Sequence, residues 1–184
     1  MGEKLAGALS ALWPLRTMAQ GLLLVIIDIR IQHIDLVPDP IGWVMALVAA
    51  QRLMARHAAF RAVLAACGVG LVCSLPDWVG VTGNLLSVPT AVAETVVVFA
   101  TCHAILALLP ARRGTANAVR WWDLGLLLVG WLVVALARRE QGVDAAVVVL
   151  ALAQLAVFVC FVVLLFGASK EHPPPPAKTL QQIP

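Results

Sequence analysis

Charge is scarce in this chain. Lys, Arg, Asp and Glu make up 12% of its 184 residues, about half their usual share in soluble domains, while 61% of residues are hydrophobic. No soluble fold of this size could hide so much apolar surface. Recognisable catalytic patterns are also missing. There is no His-Glu-x-x-His helix, no glycine-rich phosphate loop and no Gly-x-Ser-x-Gly turn, so an enzyme would have to use less recognisable chemistry. The four cysteines, Cys67, Cys73, Cys102 and Cys160, lack metal or redox spacing and fall inside apolar runs. Apolar surroundings suppress thiol reactivity, which leaves them as packing residues and implies neither a metal nor a cofactor. Tyrosine is absent altogether, and with the Ala, Val, Leu and Arg bias this agrees with a GC-rich coding sequence.

What the chain has is apolar runs long enough to cross a bilayer. They cover Thr17 to Asp35, Pro40 to Arg56, Ala58 to Leu75, Val88 to Leu109, Trp121 to Ala137 and Val143 to Ala168. At about 1.5 Å per residue these cross a hydrocarbon layer of about 30 Å with little to spare. Every backbone amide in lipid needs an internal partner, so such runs form helices. The predicted fold is an all-α polytopic bundle of six spans, with five as the alternative count. Residues 1–16 form a cytoplasmic or interfacial segment, with no cleavable signal peptide expected. Residues 17–168 form the membrane domain, and 169–184 a disordered tail whose Pro173 to Pro176 run cannot continue a helix.

Orientation follows from Lys and Arg. With both termini cytoplasmic, ten of the 13 basic residues lie inside, and only Arg30, Arg138 and Arg139 lie outside. Trp78, Trp121 and Trp122 fall at predicted interfaces. The inner residues Arg52, Arg56, His57, Arg61, Arg112, Arg113 and Arg120 are assigned to two short loops facing anionic lipid headgroups, each charge contributing about 1 kcal/mol. No soluble domain carries them to nucleic acid.

The segment Asp28 to Trp43 is the most informative. Asp39 suits the N-cap of a helix and Pro40 its first turn, while Gly42, Ala46 and Ala49 make a small-residue strip that lets another helix approach closely. On a continuous first helix, Thr17, Gly21, Asp28, Gln32 and Asp35 share one face and Arg30 points away. Asp28, Asp35 and Asp39 thus gather near the outer surface, with Arg30 and His33 as candidate charge partners. Three readings stand: a charge-paired cap, a proton or cation site, and a partner-binding surface.

The residues Asp28, Arg30, Asp35, Leu36, Pro38, Asp39, Pro40, Gly42 and Trp43 carry a pattern that resembles small uncharacterised multi-pass membrane proteins of actinobacteria. The resemblance covers roughly the first two spans. It implies a bacterial plasma-membrane protein and carries no activity with it.

Glu94 lies inside the fourth span, about 9 Å from its outer end by helical rise. Ionised at the membrane centre it costs about 2.5–3.5 kcal/mol, so it must be protonated, paired or in a wet cavity. Ser87, Thr90, Glu94 and Thr101 share one arc, and His103 points the other way. A polar seam between spans one and four would join Asp28, Gln32 and Asp35 to Glu94 and Thr101. Gln154, near the middle of the last span, either ties helices together or extends such a seam. A three-plus-three internal repeat would make Asp39 and Asp123 counterparts, each opening a span.

The functional expectation is a non-enzymatic accessory or scaffold subunit, docked through Gly42 and Ala46 to a membrane partner or another copy of itself. The alternative is a small proton-coupled or small-solute or lipid transporter, with an intramembrane lipid enzyme third.

Overall fold

The computed structural model describes residues 12–26, 30–31, 34–35, 39–78, 87–137 and 144–171. Among the described residues six α-helices carry the fold: α1 (Pro14–Ile26), α2 (Asp39–Leu53), α3 (Phe60–Trp78), α4 (Ser87–Leu108), α5 (Arg113–Ala137) and α6 (Asp144–Ala168). A 3-10 turn, Pro110–Arg112, joins α4 to α5. Pro110 explains the break, because the residue before a proline is driven out of the helical region. Among the described residues three helices are long and apolar enough to cross a membrane: Val88–Leu108, Pro110–Ala135 and Ala145–Ala168.

Two boundaries differ from the sequence reading. The first span ends early: α1 has 13 residues, about 20 Å of rise, and stops at Ile26. Beyond it, β1 (Arg30–Ile31) and β2 (Ile34–Asp35) pair antiparallel, with Arg30 opposite Asp35 and Ile31 opposite Ile34. A single helix running to Asp35 is therefore excluded by the strand pairing of Arg30–Ile31 with Ile34–Asp35, while Asp28 and Gln32 lie outside the described residues. The fifth span begins at Arg113 instead of Trp121, so Arg113 and Arg120 lie on α5 and not in a loop. Trp121 and Trp122 fall well inside that helix and face outward, 53% and 66% exposed.

Each helix packs on the next in sequence, and α6 packs back on α1, closing a ring. Met18, Leu22, Trp43, Phe60, Phe161 and Leu165 are among the side chains that fill the interior. The tightest approach is between α1 and α2. A Cβ built on Gly21 would lie 2.6 Å from the Gly42 carbonyl oxygen, and one on Gly42 would collide with the Gly21 carbonyl. Ala46 and Ala49 continue this buried face of α2. The strip is thus consumed within the chain and offers no outward surface at Gly42 or Ala46. Trp43, fully buried, lies so close to Gly70 of α3 that a Cβ there would enter the indole ring.

The outer surface is apolar where the interior is full. On α5 and α6, Leu128, Leu132, Val149, Leu152 and Val163 are each about three-fifths exposed. Exposed apolar side chains in this number mark a surface for lipid or for another protein. Cys160 lies on this exposed surface, whereas Cys67, Cys73 and Cys102 are buried, and all four are free thiols.

One end of the ring gathers the basic residues. Arg112 Nε donates to Glu171 Oε1 at 2.6 Å, and its guanidinium lies beside Gly167, joining the 3-10 turn to the end of α6. The His57 ring meets the His103 ring edge-on at 5.7 Å, while the Ala59 N–H donates to His57 Nδ1 and satisfies one free amide before α3.

Gly42→Leu should force α1 from α2 and lower stability by about 1–3 kcal/mol or more. Gly68→Ala, where an added Cβ meets nothing within 4 Å, should leave stability unchanged or slightly raised. Thermal denaturation in detergent checks both, and equal melting temperatures would contradict the crossing.

Candidate functional site

Glu94 of α4, Asp123 of α5 and Gln154 of α6 lie where these three helices meet. Asp123 is the most buried, at 1% exposure. Its Oδ1 accepts a 2.6 Å hydrogen bond from Gln154 Nε2 of α6. Gln154 is the eleventh of the 25 residues of α6, so this bond sets Asp123 at the depth of that helix's middle. Thr95 of α4 lies beside the same carboxylate. The second oxygen, Oδ2, is buried and without a hydrogen-bond partner among the described residues. A polar atom left so in a low-dielectric interior costs about 1–3 kcal/mol, an unusual expense unless something else occupies the position.

Glu94 lies within electrostatic reach of two other acids, Asp123 of α5 and Asp39 at the start of α2. Arg120, one turn before Asp123, stacks its guanidinium against the rings of Phe99 and Trp121, at 5.4 and 5.3 Å. Its Nε is also buried without a hydrogen-bond partner among the described residues. Charge from both Asp123 and Arg120 reaches Cys102 on α4.

The sequence-selected residues divide four ways. Glu94 lies where α4, α5 and α6 meet, and Asp39, at the start of α2, is within electrostatic reach of it. Thr101, fully buried, points elsewhere: its Oγ1 donates to Met18 Sδ of α1 at 3.9 Å. The contact between α1 and α4 is therefore a threonine on a thioether, with no acid from α1 among the described residues opposite Glu94. Asp28, Gln32 and His33 lie outside the described residues, and for Arg30 and Asp35 only the backbone pairing is described. Gly42, Ala46 and Ala49 serve the crossing with α1.

Asp123 is the residue that sequence reading misplaced. Taken as the opening of a span and the counterpart of Asp39, it is in fact the eleventh residue of α5, whereas Asp39 is the first of α2. The proposed correspondence between the two halves fails on that difference. The signal present was Gln154, a lone amide within a long apolar helix that needs a partner across a helix interface, whereas Asp123 follows a polar stretch of α5.

No family model matches this chain, and neither a curated protein nor a solved structure is similar to it.

Replacing Gln154 with Leu should strip Asp123 of its helix-spanning donor and cost about 1–3 kcal/mol. Combining Gln154→Leu with Asp123→Leu should return most of that loss. A double-mutant cycle of melting curves would read a coupling of about 0.5–3 kcal/mol, and simple additivity would show the bond to be inert.

Proposed function

We propose that this is a six-span plasma-membrane protein of bacterial type, with both termini in the cytoplasm, that couples proton exchange at Glu94 and Asp123 to the passage of a small solute. The observation that carries the reading is Asp123, fully buried and bonded to Gln154, beside the space that Glu94, Thr95 and Gln154 line between α4, α5 and α6. A structural cap needs a neutralising partner for each acid, whereas here the Asp123 oxygen Oδ2 has no hydrogen-bond partner among the described residues. Intramembrane acids of this kind mark ion and proton routes.

The orientation draws support from charge. Arg52, Arg56, Arg61, Arg112, Arg113 and Lys170 lie around the end of the ring that the Arg112–Glu171 and His57–His103 contacts define. A basic end faces the cytoplasm and the anionic headgroups there.

The accessory-subunit reading rests on a different surface. Gly125 of α5 is open, with nothing within 4 Å of an added Cβ, on a helix whose outward side chains are largely exposed. A neighbouring membrane helix or a second copy would dock there, and mild-detergent purification would then recover it in fixed stoichiometry.

Proteoliposomes adsorbed to a solid-supported membrane test the transport reading. A pH jump should produce a transient displacement current as Glu94 and Asp123 exchange protons, and Glu94→Gln should abolish it while leaving helical content intact. A parent current equal to that of empty liposomes would count against transport.

A further inference from the structure

A cavity of about 280 Å³ opens between α4, α5 and α6. Its walls are apolar, formed by side chains such as Leu126, Leu127, Trp131 and Leu150, and its polar groups are Glu94, Thr95 and Gln154. Trp131, Val134 and Val147 also line it and are each about half exposed, so the cavity opens through the outer surface of the bundle. Thr95 and Gln154 are the residues that adjoin Asp123, which places the unpartnered Oδ2 behind the cavity's polar end.

The chemistry of this cavity selects its occupant. An anion is refused by Glu94, with Asp123 and Asp39 within electrostatic reach of it. An acyl chain would cover the walls and leave the Glu94 carboxylate facing hydrocarbon, an expensive arrangement. A bare metal ion would need several hard donors, and no group of three metal-ligating side chains occurs among the described residues. A cation carrying its own apolar body meets both demands, with its charge at the carboxylate and its carbon surface on leucine. Trp131 adds an aromatic wall of the type that attracts quaternary ammonium groups. The volume lies near the lower end for small-molecule pockets, about 300–1,000 Å³, which suits one ring with short alkyl groups.

We infer that this cavity binds hydrophobic organic ammonium ions and exchanges them for the proton of Glu94. This deepens the proton-coupled reading above and rests on it. The exchange balances without covalent chemistry. The carboxylic acid gives its proton to water, the ammonium ion takes its place, and the charge of the site is unchanged. The groups around Glu94 that bear on this competition are Asp123 and Arg120 from α5, Asp39 from α2, Gln154 from α6, and Thr95 and Cys102 on α4 itself.

Equilibrium binding of benzyltriethylammonium to the full chain in nanodiscs tests the inference. Binding should be saturable, one per chain, and should weaken as pH falls because protons compete for the same group. Glu94→Gln should weaken it at least tenfold. Gly130→Leu should do the same by filling the cavity, since Gly130 lines it and an added Cβ there meets nothing within 4 Å. An unchanged melting temperature would show that the fold survives this substitution, and Leu127→Trp fills the same space should it not. Parent-level binding in the filled variants, or binding no greater than in empty nanodiscs, would overturn the inference. Proton displacement current in the parent without saturable ammonium binding would overturn it alone and leave proton coupling standing. Absence of both would overturn the two together.

Discussion

A carboxylate that leaves water for hydrocarbon must find a partner, a proton or a wet space, and the rest of this molecule is arranged around that demand. The cost on insertion scales is about 2.5–3.5 kcal/mol for an acid at the centre of a span. With 61% hydrophobic residues the chain has few polar groups to spend on neutralisation. It buries Asp123 beside Gln154 and sets Glu94 in the wall of the cavity between α4, α5 and α6, with valine, leucine and tryptophan outside.

The ring makes that placement available. Gly21 and Gly42 bring α1 and α2 into backbone contact, Trp43 closes the space over Gly70, and α6 returns to α1. Packing is therefore tightest among the first helices and loosest where α4, α5 and α6 surround the cavity. Dense packing on one side fixes the backbone, so the open side can hold polar groups without collapsing on them. The single bond from Gln154 to Asp123 then ties the two outer helices together at mid-depth.

Much of this was legible in the residues. Apolar run length gives the helices of the second half, and the pairing of Asp39 with Pro40 marks the start of α2. The spacing of Gly42, Ala46 and Ala49 identifies a packing face, though not which helix would fill it. The strand pairing of Arg30–Ile31 with Ile34–Asp35 was hidden by hydrophobicity, because the isoleucines there read as a continuing span. Glu94 stands out as a lone acid in an apolar helix. Its companions do not, because α4, α5 and α6 meet through contacts that no local pattern encodes, and Asp123 follows Trp121 and Trp122, which resemble an interface.

The claim on which the account turns is that Glu94 and Asp123 behave as one coupled proton-exchanging pair within the membrane. Infrared difference spectroscopy of the protein in lipid, recorded across a pH step, observes this directly through the carboxyl C=O stretch. The account predicts a carboxyl band that changes with pH in the parent and is altered by Glu94→Gln and by Asp123→Asn alike, since coupled groups titrate as a unit. A pH response that neither substitution alters would contradict it.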